Sequence, residues 1–137
     1  MLVISENILI EEMTFDGDSN DYSDSDIRTY LNGDFITTYG LSNVSINVDV
    51  TSNIEETTVG SGTDKVFLLS KTEAENTSYF ANDTARVAKY NGTAVYWWLR
   101  TPSSSYNIYA VSTSGTFSGY NSVYYVKGVR PAMWVNF

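Results

Sequence analysis

Apolar positions in the first fifty residues change their period twice. Val3, Ile4, Ile8, Leu9 and Ile10 lie in an aliphatic, β-branched stretch between Leu2 and Phe15, which predicts one strand or two short ones. Asp16-Gly17-Asp18-Ser19-Asn20-Asp21 ends that stretch as an acidic loop. Ser23-Asp24-Ser25-Asp26 has the spacing of a capping box, with Ser23 set to accept from the Asp26 amide and acids at the positive end of the helix dipole. Behind it Ile27, Tyr30, Leu31 and Phe35 fall at helical spacing, and Asn32-Gly33 marks where that helix is interrupted or ends its first part. From Val44 to Val50 the period drops to two. Val44, Ile46, Val48 and Val50 share one face and Ser45, Asn47 and Asp49 the other, which predicts a half-buried strand.

The second half is read the same way. Lys65-Val66-Phe67-Leu68-Leu69 is a short apolar run that predicts a buried strand, and Ser70-Lys71-Thr72-Glu73 is a second capping box, heading a short helix through about Phe80. Ala81 to Thr93 is polar and follows neither period. Val95-Tyr96-Trp97-Trp98-Leu99 predicts a core strand with two bulky anchors. Ile108 to Ser114 and Thr116 to Ser118 flank Gly115 as a hairpin, and Val129 to Phe137 forms a last apolar strand with Pro131 near its start. Strands therefore dominate two helices, an α+β class. No repeat and no change of composition divides the chain, so residues 1–137 are expected to form a single domain.

Composition narrows the chemistry. The 137 residues are 42% apolar and 15% aromatic, enough for one core. A net charge of -8 with no basic cluster repels nucleic acid and anionic membrane surfaces, and no apolar run is long enough to insert into a bilayer. Without cysteine there are no disulfides, thiolate nucleophiles or thiolate metal sites. Without histidine there is no Ser-His-Asp triad, no imidazole-bound zinc and no side chain with an ordinary pKa near neutrality. Met1-Leu2-Val3-Ile4-Ser5-Glu6 lacks the basic and long apolar regions of a secretion signal. The expectation is a protein without catalytic residues, metal or cofactor.

Between Arg100 and Lys127 no residue is charged, yet the segment is not hydrophobic. The candidate ligand-binding residues there are Ser103, Ser104, Ser105, Tyr106, Asn107, Tyr109, Ser112, Ser114, Tyr120, Asn121, Ser122, Tyr124 and Tyr125. Five of the chain's 11 tyrosines fall within 103–125. Tyrosine supplies large, rigid contact area at modest entropic cost and Ser and Asn supply adaptable hydrogen bonds, the division of labour used by antibody paratopes. The alternative is an ordinary polar β-surface. Framing by Trp97-Trp98-Leu99-Arg100-Thr101-Pro102 and Gly128-Val129-Arg130-Pro131-Ala132-Met133-Trp134 favours a presented site, because both flanks have the composition of core.

Those two flanks, with Ser25-Asp26-Ile27-Arg28-Thr29-Tyr30-Leu31-Asn32-Gly33 and Asp64-Lys65-Val66-Phe67-Leu68-Leu69-Ser70, resemble the variable proteins of diversity-generating retroelements and related bacterial domains. The resemblance implies a C-type-lectin-like fold, mainly antiparallel, with adjacent N- and C-terminal strands. It also implies that 103–125 is a diversified segment whose exposed residues bind a protein or glycan on another cell or molecule, displayed at a virion or cell surface. Formylglycine-generating enzymes share that fold but use catalytic cysteines, which this chain lacks. Sugar-binding C-type lectins use Glu-Pro-Asn or Gln-Pro-Asp at a calcium site, and neither tripeptide occurs here. A fixed carbohydrate- or cell-wall-binding module using the same face is the alternative function, and homo-oligomer formation through the tyrosines is a second use of such a patch.

Three lesser constellations carry bland readings. Asp16, Asp18 and Asn20 match the start of an EF-hand loop, but Asp21 stands where Gly is needed and Ile27 where the closing Glu should be. The acid pairs Glu11-Glu12, Glu55-Glu56 and Glu73 with Glu75 have glycosidase chemistry only if a cleft separates them. Arg100 and Arg130 sit among Trp and Pro and are read as scaffold cations rather than ligand anchors.

Overall fold

The computed structural model describes residues 1–136, which form eleven strands and four short α-helices. The aliphatic start does divide in two, as β1 (Leu2–Ile4) and β2 (Ile10–Thr14). Of the last strand expected over 129–137, only Ala132–Trp134 forms a strand of its own (β11); Val129 instead ends β10 (Val126–Val129), Arg130-Pro131 separates the two, and Phe137 lies outside the described residues. Antiparallel pairing of β1 with β11, Val3 opposite Met133, brings the two ends of the fold together. The Met1 ammonium closes the pair by donating to the Val135 carbonyl at 2.7 Å.

The largest sheet has five strands in the order β2-β10-β7-β8-β9, with β7 at Trp97–Ser104, β8 at Asn107–Val111 and β9 at Phe117–Ser122. Only the β10–β7 pair is parallel, through Gly128 opposite Trp97. Side chains alternate across a strand, so the adjacent tryptophans of β7 leave from opposite faces. Trp98 packs edge-on against Phe15 at 5.7 Å and donates its indole N–H to the Met13 carbonyl. Trp97 lies against Phe80 and under the Arg130 guanidinium, 5.0 Å from its ring centre, and donates to the Arg86 carbonyl. Both are fully buried with their polar edges satisfied, so β7 anchors two faces at once.

Helices α1 (Asp26–Leu31) and α2 (Asp34–Tyr39) replace the single interrupted helix, and Asn32-Gly33 is the break. The cap is not where the spacing placed it. Ser25, not Ser23, accepts from the Arg28 amide, while the Asp26 amide donates to Asp16 and Ser23 belongs to a 3-10 turn, Tyr22–Asp24, capped by Asp21. At Ser70 the capping box forms as expected, with both reciprocal bonds to Glu73, but helix α3 (Lys71–Glu75) ends before the expected Phe80. A fourth helix, α4 (Asp83–Arg86), lies in the segment whose period was unreadable.

Two expected strands are largely irregular. Within 44–50 only Val48–Asp49 is a strand (β3), paired with β4 (Thr58–Val59), and Val44 is exposed while Ser45 is buried. The chain changes partner inside that stretch, since the Ile46 amide donates to Trp134 and the Val48 amide to Asp64. Val66, Phe67, Leu68 and Leu69 are buried as expected, yet they form no strand. Their backbone groups are satisfied one at a time: Asn32 takes Val66, Ala132 takes Phe67, and Tyr22 and Arg100 take Leu68. β5 (Lys89–Tyr90) and β6 (Thr93–Ala94) complete the fold as a small hairpin.

Ionisation is tied to this scaffold through Asp16 and Glu55. Burial alone would raise both carboxyls, but four backbone N–H groups around Asp16, and the Thr72 hydroxyl and amide on Glu55, hold them below their ordinary values. A depressed carboxyl contributes stability that is present above its unfolded pKa and is lost as pH falls through the folded value. Asp26, raised by the Asp16 charge, works in the opposite direction. The midpoint of thermal unfolding should therefore fall as pH drops below about 4, and Asp16→Asn should show a shallower fall. An equal fall in the variant would remove Asp16 from this role.

Candidate ligand-binding surface

The charge-free window begins on the buried part of β7 and emerges at the β7–β8 turn. Tyr106 sits at its tip with φ of 62°, a left-handed conformation that a non-glycine residue adopts only when its surroundings hold it. Two neighbours hold it. Asn20 of the acidic loop donates to the Ser104 carbonyl at 2.7 Å and to that of Asn107 at 3.3 Å, and the Val123 amide donates to the Tyr106 carbonyl at 2.9 Å. The Asn107 side-chain amide also donates a hydrogen bond to the Ser104 hydroxyl oxygen at 2.9 Å.

Val123 is the pivot. It is fully buried and its carbonyl accepts from Phe15, so the turn that follows β9 is nailed to the core at its centre. Tyr124 and Tyr125, just beyond it, project outward and are 53% and 58% exposed; Tyr106 across the Val123 bond is 57% exposed. Tyr120 is 88% exposed. A bulge explains that value: pairing shifts between Ile108 opposite Asn121 and Ala110 opposite Ser118, so Gly119 and Tyr120 together face Tyr109. The extra residue bends the edge strand and turns Tyr120 into solvent.

Not all of the thirteen candidate residues share this surface. Asn121 is buried and donates to the Ile108 and Ser118 carbonyls, which fixes the bulge. Ser112 is also buried, in a hydroxyl cluster with Ser114 and Thr116. That cluster lies at the far end of β8 from Tyr106, roughly 17 Å away for five residues of strand, so Ser114, though exposed, belongs to another region. There Gly115 at φ 83° lets the turn press onto α4, where a Cβ would come within 1.8 Å of the Asp83 carbonyl oxygen. Tyr109 is half-buried under the Lys71 ammonium, 5.3 Å from its ring centre, and Ser103 donates to the Gly119 carbonyl. Ser104, Ser105, Tyr106, Tyr120, Tyr124 and Tyr125 are the exposed members on the tip side, with Asn107 and Ser122 at their margin.

Sequence reasoning missed Asn20, whose position in an acidic run gives no hint that its side chain spans to β7 and β8. The EF-hand reading of that run does not match the geometry. Asp16 is buried and its carboxylate is taken by the amides of Asp18, Ser19 and Asp26, and among the described residues no cluster of three acidic side chains is placed to hold a metal ion. Of the glutamates in the acid pairs, three are engaged and Glu11 and Glu12, as neighbours on β2, point to opposite faces. Glu73 accepts from Ser70, Thr57 and Arg100, Glu55 accepts from Thr72, and Glu75 pairs with Lys71. Arg100 and Arg130 are buried, Arg100 on Glu73 and three other oxygens, Arg130 on the Ser5 and Arg86 carbonyls with burial lowering its pKa.

Over residues 1–137 the sequence matches the family described as Domain of unknown function (DUF6273). The chain belongs to the DUF6273 family. No curated protein and no solved structure matches it. Since the match spans the whole DUF6273 chain, it takes in both the interlocked core and the tyrosine surface. No helix among the described residues of this DUF6273 domain is long and apolar enough to cross a membrane.

Proposed function

We propose that this domain is a non-enzymatic target-recognition module with a C-type-lectin-like fold, presenting Ser105, Tyr106, Tyr120, Ser122, Tyr124 and Tyr125 to a protein or glycan. The observation that carries this reading is the contrast between neighbours: four tyrosine rings more than half exposed, interleaved with the buried Val123 and Asn121 that fix their backbone. Exposed aromatic rings on a fixed backbone bind with little ordering cost. The lectin-like assignment is supported by the paired end strands and by contacts among the four sequence pieces that resemble retroelement variable proteins. Arg28 and Asn32 bind Asp64 and Lys65, Arg100 binds Leu68 and Leu69, and Gly128 and Ala132 meet Trp97 and Phe67.

Screening the immobilised domain against arrays of surface proteins and glycans, beside a variant with Ser at the four tyrosines, tests the recognition role. A target kept by the intact domain and lost by the folded variant supports it; equal retention sinks it. Diversification makes a separate prediction. Sequencing the gene across a population should find changes concentrated at 105, 106, 120, 122, 124 and 125, sparing 112, 121 and 123, with a near-identical template repeat beside the gene. Changes spread evenly over buried and exposed positions would leave a fixed recognition module.

A further inference from the structure

Beside Tyr106 lies a cleft of about 250 Å³ lined by Asp18, Ser19, Asn20, Ser105 and Tyr106. Only two of these residues belong to the charge-free window; the other three come from the acidic loop. The loop's three acids have different employment. Asp16 holds three backbone amides and Asp21 holds the amide and hydroxyl of Ser23, whereas among the described residues no donor or cation reaches the Asp18 carboxylate. Asp18 is exposed, so it has no structural task.

The hydroxyls of Ser19, Ser105 and Tyr106 can donate or accept, but the cleft's carboxylate and its free amide oxygen only accept. Asn20 directs its amide donors to the Ser104 and Asn107 carbonyls, which leaves its Oδ1 without a donor. The strongest free groups are then acceptors, the Asp18 carboxylate and the Asn20 oxygen, next to an exposed aromatic ring. Seven of the protein's eight lysines and arginines are occupied elsewhere: Arg28, Lys71, Arg86 and Arg100 on carboxylates, Lys65 and Arg130 on carbonyls, and Lys127 over the Tyr96 ring at 4.4 Å, while the eighth, Lys89, is exposed on β5.

We propose that Asp18, Asn20 and Tyr106 form a subsite for a cationic side chain of a protein partner, arginine above lysine. The inference rests on the display reading and names the chemistry at one end of that display. A planar guanidinium stacks on a tyrosine ring while its fork donates to a carboxylate, a match an ammonium makes less completely. The net charge of -8 favours the approach of a basic partner to the molecule. The fixed loop thus supplies the charge and the tyrosine window supplies the fit.

The test is an amide NMR titration of the whole chain with N-acetyl-arginine amide, its uncharged citrulline counterpart and methyl glucoside. Arginine amide should move the signals of residues 18–20 and 104–106. Citrulline should bind at least tenfold more weakly, Asp18→Asn should weaken arginine binding at least tenfold, and Tyr106→Asn, which keeps a residue tolerant of positive φ, should weaken it severalfold. Equal response to citrulline, a response to methyl glucoside at the same amides, an unchanged Asp18→Asn, or arginine shifts spread evenly over all exposed acids would each overturn the proposal. A target whose capture needs the four rings but ignores Asp18→Asn removes the cationic subsite and leaves the display standing; capture that survives loss of the rings removes both.

Discussion

Replacing Arg100 with leucine should cost about 3–5 kcal/mol of stability, the usual penalty for removing one partner of a buried ion pair. The side chain is fully buried and reaches four oxygens on two stretches of chain: Ile54 through Nε at 2.8 Å and Thr57 through one terminal nitrogen at 3.3 Å, Leu68 and Glu73 through the other at 2.7 and 2.8 Å. Its loss leaves carbonyls and a mostly buried carboxylate without their donors. Domains of this size have about 5–15 kcal/mol in total, so the variant should sit near the edge of folding. Lysine should rescue little, because one ammonium cannot reproduce a fork with donors on three nitrogens. Urea unfolding of the two variants and the parent measures this. A drop under about 1 kcal/mol would mean that water reaches Glu73 and Leu68 once the guanidinium is gone.

Removing the four exposed rings should have the opposite profile. Surface substitutions away from special features usually change stability by under about 0.5 kcal/mol each, and Tyr106, Tyr120, Tyr124 and Tyr125 accept or donate no side-chain hydrogen bonds among the described residues. Tyr106→Asn is preferable to serine for the stability comparison, since its φ of 62° suits asparagine. Binding should collapse. If two of the four rings are hot spots worth about 2 kcal/mol each, affinity falls on the order of a thousandfold. The control is Asn121→Ala, in the same window but buried, which should destabilise the domain by leaving the Ile108 and Ser118 carbonyls short of a donor. Should the ring variant unfold and Asn121→Ala be silent, inside and outside have been assigned the wrong way round.

What the sequence made legible follows from how local each signal is. The Ser70–Glu73 box needs only four residues and formed as expected. Spacing chose Ser23, which has the acid Asp26 three residues on, over Ser25, which has Arg28 there; the Asp16 carboxylate, ten residues away, takes the Asp26 amide, and the cap falls at Ser25. Alternation through Val44–Val50 identified Val48 and Val50 as buried but could not show that the backbone changes partner after Ile46. The same limit applies to the binding surface. Composition picked out its segment, but the outward turn of Tyr120 depends on a bulge and the inward turn of Ser112 and Asn121 on hydrogen bonds formed only in the folded sheet.

Hydroxyl-radical footprinting of the domain, free and bound to a captured target, is the most direct measurement of a surface held out for recognition. The account predicts that Tyr106, Tyr120, Tyr124 and Tyr125 react readily in the free protein and are protected in the complex, while Trp97 and Trp98 are inert in both. Protection centred instead on Leu9, Tyr39 and Met133, which line an apolar groove beside the end strands, with the four tyrosines unchanged, would contradict it.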